Sequence, residues 1–165
     1  MKKLLIPLLI TNIIYAQSFV PDAPELDLKS YILIEPNTNT VIAEFNSDLE
    51  IEPASMTKIM TSYVVADQIA NDLISLDDQV LISEKAWRME GSKMFIEAGK
   101  KVSVSDLLKG IIIQSGNDAS VAIAEYAGGT ERGFVDLMNA YAGSLGMNNT
   151  IFQNSTGLPD ANHFS

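Results

Sequence analysis

The 165-residue sequence contains no cysteine and a single histidine, His163. Disulfide staples and thiolate metal sites are therefore excluded, and one imidazole leaves little for a transition metal to bind. Basic residues are also scarce: 11 Lys and Arg stand against 21 Asp and Glu, for a formal charge of -10. No cluster of Lys or Arg is available to neutralise phosphates, so nucleic acid is excluded as a partner. No apolar run reaches the roughly 20 residues that a membrane-spanning helix needs. Neither metal nor cofactor is expected, and any catalysis must rest on Ser, Lys, Asn and acids. What is abundant is apolar surface: 47% apolar residues with 19% charged describe one globular domain with a real core.

Residues 1–16 read as a secretory signal, with Lys2 and Lys3 ahead of a mostly apolar stretch from Leu4 to Tyr15 and the small Ala16 at the end. Cleavage there starts the mature chain near Gln17 and exports it, to the periplasm or the outer face of the cytoplasmic membrane. Residues 17–29 form an extended lead-in. Ser30 to Glu35 and Thr40 to Phe45 are rich in β-formers and flank the turn residues Pro36-Asn37-Thr38-Asn39, which predicts a hairpin.

From Ser55 to Ile69 the apolar residues Met56, Ile59, Met60, Tyr63, Val64, Ala66 and Ile69 recur at helical spacing on a broad face, predicting a largely buried helix. Met56 and Met60 read as core packing. The middle of the chain reads as mainly helical. Ser83 caps a short helix through Trp87, and Ser103 with Asp106 has capping-box spacing at the start of another. Helices follow from about Asp118 to Ala127 and from Glu131 to Leu145, stopped by Gly128-Gly129 and Gly146. His163 reads as an exposed loop residue.

Two constellations carry chemistry. In Ser55-Met56-Thr57-Lys58 a serine at a helix start and a lysine three residues on share one face, so their side chains can meet. A serine hydroxyl needs a base to become a nucleophile, and a lysine serves once burial lowers its pKa. The helix start adds a favourable field for the developing alkoxide, and its N–H groups lie where an acyl oxyanion would form. The second is Ser115-Gly116-Asn117, in a break between apolar helical segments. Its hydroxyl can relay a proton and its amide can hold a substrate amide. Alone, the S-x-x-K spacing is weak, since it arises by chance about once in a chain of this length.

With their flanks, these motifs resemble the penicillin-recognising serine DD-peptidases, marked by S-x-x-K, S-x-N and K-T-G. Similar blocks are Ser30 to Ile34, Pro53 to Thr61, Gly110 to Ala119 and Asn154-Ser155-Thr156-Gly157-Leu158. The resemblance implies an α/β (α+β) fold of the serine β-lactamase/DD-peptidase type, an antiparallel sheet with a mainly helical subdomain. It implies a D-alanyl-D-alanine carboxypeptidase that trims peptidoglycan stem peptides and is inhibited by β-lactams. Ser55 would be acylated, Lys58 would accept its proton, Ser115 would relay a proton and Asn117 would bind substrate. No K-T-G occurs, so residues 17–165 are expected to be the N-terminal part of a catalytic domain whose later strands are missing, inactive alone. Membrane attachment through a C-terminal segment not present here is also implied by the resemblance. The rival readings are a DD-endopeptidase, a β-lactamase of the same superfamily, and a non-catalytic cell-wall binding protein.

Overall fold

A computed structural model describes residues 26–165; the signal-like residues 1–16 and most of the lead-in lie outside the described residues. The chain divides between Leu49 and Glu50 into two units. In the first, β1 (Tyr31–Glu35) and β2 (Thr40–Phe45) pair antiparallel. The turn between them is organised by the Glu35 carboxylate, which accepts from Thr38 N at 2.7 Å and Asn37 Nδ2 at 2.8 Å. A bulge between Leu33 and Ile34 shifts the register, pairing Leu33 with Ala43 and Ile34 with Val41.

The second unit opens with a 3₁₀ turn, Ala54–Met56, that runs into α1 (Thr57–Ala70). Then come β3 (Gln79–Leu81), α2 (Glu84–Arg88), β4 (Lys101–Ser103), α3 (Val104–Gln114), α4 (Asn117–Gly128) and α5 (Glu131–Ser144). Side-chain caps start three of these helices, with Ser83 accepting from Ala86 N, Ser103 from Asp106 N and Thr130 from Gly133 N. The β3–β4 pair was not expected from sequence. Each strand has three residues, too few for an alternating pattern to show.

Helix α4 is the hub, packed against α1, α2, α3 and α5. Ala119, Ser120, Val121, Ala122, Ile123 and Ala124 are all at most 1% exposed, and the small Ala119, Ser120, Ala122 and Ala124 let neighbouring helices approach closely. Phe134, Leu107, Met138, Val64 and Val65 are fully buried around it. Burying a side chain of this kind contributes about 1.5–3 kcal/mol.

Two expectations need correction. The buried stripe of α1 is Thr57, Lys58, Met60, Thr61, Val64, Val65 and Gln68, whereas Met56, Ile59 and Tyr63 are 57%, 72% and 45% exposed. Met60 is core and Met56 is not. The helix is rotated so that its polar residues meet carbonyl and hydroxyl partners behind it. His163, expected to be exposed, is 3% exposed: its ring packs edge-on against Phe152 and bonds to Thr57.

Candidate active site

Ser55 and Lys58 meet across the first turn of the helix, as their spacing requires. Ser55 lies in the 3₁₀ turn, exposed, and Lys58 Nζ is 3.2 Å from its Oγ. Lys58 itself is 4% exposed and donates to the Thr156 carbonyl at 2.7 Å. Burial pushes its pKa down from the ordinary 10.5 to about 8. That drop corresponds to roughly 3 kcal/mol of desolvation cost while the amine is charged at neutral pH. The bond to Thr156 O occupies one N–H, which leaves the lone pair of the neutral amine free to face Ser55 Oγ.

The turn holding Ser55 is strained, because Ala54 has φ +47° in the left-handed region. Gly157 sits so close beneath it that a Cβ there would collide with the Ala54 carbonyl oxygen. Of the amides at the turn, Met56 N donates to Pro53 O and Thr57 N to Ala54 O, so the Ser55 amide is the candidate oxyanion donor.

Ser115 caps the C-terminus of α3 with φ +54°, so the left-handed residue of the triplet is the serine and not the glycine. Gly116 is needed for space: a Cβ there would stand 2.9 Å from Asp118 Oδ1 and 3.2 Å from Met94 N. Ser55, Lys58, Ser115, Ile59, Ser62, Ile111 and Ile112 line one open cleft of about 370 Å³. Asn117 is not among those lining residues. It is 5% exposed, its Nδ2 donates to Glu90 O at 2.6 Å, and its backbone N donates to Ser92 O at 2.7 Å. Of the four residues singled out from sequence, the structure thus brings three to one cleft and turns the fourth toward loop 90–92.

Several residues that support the site were not singled out. Asp118, fully buried, accepts through Oδ1 from Met94 N at 3.0 Å and Ala119 N at 2.9 Å, and through Oδ2 from Phe95 N at 2.9 Å and Ile96 N at 3.2 Å. Gathering three consecutive amides on one carboxylate goes with φ +63° at Phe95, an uncommon conformation for an aromatic residue. Behind α1, the Ser155 carbonyl accepts from Thr61 Oγ1 at 2.7 Å and Ser120 Oγ at 2.6 Å. Glu131 Oε1 accepts from Ser155 N at 3.1 Å and Ser155 Oγ at 2.9 Å, and its other oxygen pairs with Lys85 at 2.6 Å. Desolvation works against that carboxylate, but the Lys85 and Ser155 bonds outweigh it and lower the pKa. An acid in the first turn of α5 was visible in sequence; its partner 24 residues away was not.

The family described as D-alanyl-D-alanine carboxypeptidase, peptidase S11, matches residues 17–165. The chain is 45% identical over 157 residues to the D-alanyl-D-alanine carboxypeptidase DacC of Escherichia coli K12, covering 92% of this chain and 39% of that relative. It is 46% identical over 139 residues to DacF of Bacillus subtilis, covering 84% of this chain and 36% of the relative. The crystal structure of DacD from Francisella tularensis superposes with a TM-score of 0.84 at 46% identity, over 88% of this chain and 35% of that one. The chain therefore spans about two fifths of the curated relatives it matches.

Proposed function

The chain belongs to the D-alanyl-D-alanine carboxypeptidase family, peptidase S11, and from that membership we propose that the protein it forms removes the terminal D-alanine from peptidoglycan stem peptides. The observation that carries this reading is the Ser55–Lys58 pair, 3.2 Å apart with the lysine pKa lowered to about 8 by burial. Neutral Lys58 takes the Ser55 proton as Oγ attacks the penultimate D-alanine carbonyl, and the Ser55 amide faces the developing oxyanion. Collapse breaks the C–N bond. Ser115, in the same cleft, relays the proton taken up by Lys58 to the departing D-alanine amine, and water then hydrolyses the ester on Ser55. A β-lactam takes the same path to a longer-lived ester. Asn117 binds the substrate amide in this scheme, which requires its side chain to turn from Glu90 O toward the cleft.

The same reading assigns residues 1–16 to an export signal and residues 17–165 to part of the catalytic domain, placing the enzyme outside the cytoplasmic membrane. The positive start and apolar stretch support export. No helix among the described residues is long and apolar enough to cross a membrane.

The test is mass spectrometry of the intact protein after exposure to penicillin, beside D-alanine release from a pentapeptide. The expected result is one adduct, mapped to Ser55 and absent in Ser55→Ala. An adduct that survives Ser55→Ala, or maps to Ser115, removes Ser55 from its role. Cleavage of crosslinked muropeptides with no release from pentapeptide would make the enzyme an endopeptidase.

A further inference from the structure

His163 lies 106 residues beyond Thr57, yet the two meet in the interior: Nε2 is 2.8 Å from Thr57 Oγ1, with Thr57 1% and His163 3% exposed. The other ring nitrogen faces a donor, since Gln153 N–H points at Nδ1 from 3.3 Å. A backbone amide can only donate, so Nδ1 carries the lone pair and Nε2 carries the proton. The ring therefore donates to the threonine hydroxyl. Burial, which lowers the pKa of His163 against the opposing field of Asp160 and Glu52, acts in the same direction.

The place of this contact gives it meaning. Thr57 is the first residue of α1, two beyond Ser55 and one before Lys58. On the other side of Ser55, the strained Ala54 has φ +47°. Such a conformation persists only where its surroundings over-determine it. Three restraints do so here. Ile51 and Ser165 exchange both backbone hydrogen bonds, at 3.1 and 3.0 Å, ahead of the turn. Gly157 runs so close to the Ala54 carbonyl that no side chain would fit between them, which leaves that carbonyl little room to move. His163 grips the residue just after the turn, and its own segment is tied down by the Ile151–Phe164 bridge.

We infer that His163 is a positioning residue for the nucleophile: by donating to Thr57 it fixes the first turn of α1 and so holds Ser55 in register with Lys58. The inference rests on the reading of Ser55 as nucleophile and deepens it. His163 does not touch the reacting atoms. Its loss loosens the Ser55–Lys58 geometry, so it slows the acylation step and leaves initial binding of the β-lactam largely unchanged.

The experiment follows acylation of the intact protein by fluorescent penicillin in stopped flow, for wild type, His163→Ala, His163→Gln, Thr57→Val and the Thr57→Val/His163→Ala pair. Thr57→Val keeps the branched shape and removes the acceptor; His163→Gln keeps an N–H donor near the position of Nε2. Misplacement of a catalytic group by about an ångström costs on the order of 10²-fold, so the saturating rate should fall about 10–100-fold in His163→Ala and Thr57→Val. The half-saturating concentration should change little. His163→Gln should recover most of the rate, and the double variant should be no slower than the slower single one. Nitrogen-15 correlation of the imidazole should show Nε2 protonated at pH 7. If Thr57→Val melts like wild type and acylates within about twofold of it, the inference is overturned, as it is by an Nδ1-protonated ring. An unlabelled wild type overturns the functional reading and this inference together; a labelled wild type with indifferent variants overturns this inference alone.

Discussion

The two faces of α1 depart from the usual rule for a surface helix. The face turned inward presents Thr57, Lys58, Thr61 and Gln68 beside Met60, Val64 and Val65, while the outward face shows Met56, Ile59 and Tyr63. Inside, each of those polar side chains has a named partner: Thr57 with His163, Lys58 with Ser55 and Thr156 O, Thr61 with Ser155 O, and Gln68 with Ala127 O. Among the described residues no buried side-chain nitrogen or oxygen lacks a partner. The inward face is held by satisfied polar contacts as much as by apolar burial. The outward face, with Ile112 and Ser115 across the cleft, is open. In the proposed mechanism the lysine that would lose its proton is the one on the side where charge is expensive, and the serine it would activate is exposed at the cleft.

The strongest way to break this contrast is to make the inward cation permanent. Lys58→Arg keeps the charge on a slightly longer side chain but cannot give up its proton at accessible pH. A positioned base contributes about 10²–10⁴-fold, so penicillin acylation of the intact protein should fall by that factor. In the wild type the reactive form is the neutral amine, favoured above pH 8 and scarce below it. The acylation rate should therefore climb about tenfold per pH unit up to pH 8 and level off beyond. A rate already flat between pH 5 and 7 would show that Lys58 is not the titrating base.

Next in size is the polar anchor at the start of α4. In Asp118→Asn one oxygen becomes an NH₂ group facing two of the amides that Asp118 now accepts. Two charge-assisted bonds are lost and donors face donors, for an expected cost of about 2–4 kcal/mol in urea unfolding. A loss under about 1 kcal/mol would mean that loop 94–96 does not depend on this carboxylate.

Much of this was legible in the sequence, and the exceptions share a cause. Ser83 and Ser103 open their helices, and Gly128-Gly129 and Gly146 close theirs, because caps and stops are local chemistry. Ser55 and Lys58 were legible for the same reason, as a helix turn sets their distance. The facing of α1 was not, since apolar periodicity finds a stripe but cannot see that Thr57 and Thr61 have carbonyl or imidazole partners near residues 155 and 163. His163 was misplaced on the surface because its burial depends on contacts with Thr57, Phe152 and Gln153, none of them close in sequence. The bond from Asn117 Nδ2 to Glu90 O was not legible either, because its acceptor lies 27 residues earlier.

A gentler probe of the inward face is Thr61→Val, which removes one bond to Ser155 O and leaves the one from Ser120. The carbonyl stays partnered, so the expected loss is about 1 kcal/mol. Thermal unfolding of the variant beside Ser120→Ala measures it. If the two losses are strictly additive in the double variant, the shared carbonyl is not coupling them.

The smallest effect belongs to the outward face. Ile59 is 72% exposed and its neighbour Met60 is 6% exposed, so one step along α1 passes from the open side to the core. Ile59→Ser removes little buried area and exchanges an apolar surface group for a polar one, so unfolding of the intact protein should stay within about 0.5 kcal/mol of the parent. Met60→Ala in the same background removes packed atoms from the core and should cost about 2–5 kcal/mol. Both are read from urea unfolding at low micromolar concentration, where association through the open apolar face is least. Equal losses at the two positions would show that Ile59 is covered in solution and that the inward and outward faces of α1 do not differ as described. A loss confined to Met60 would confirm that the side of the helix carrying the cleft contributes little to holding the domain together.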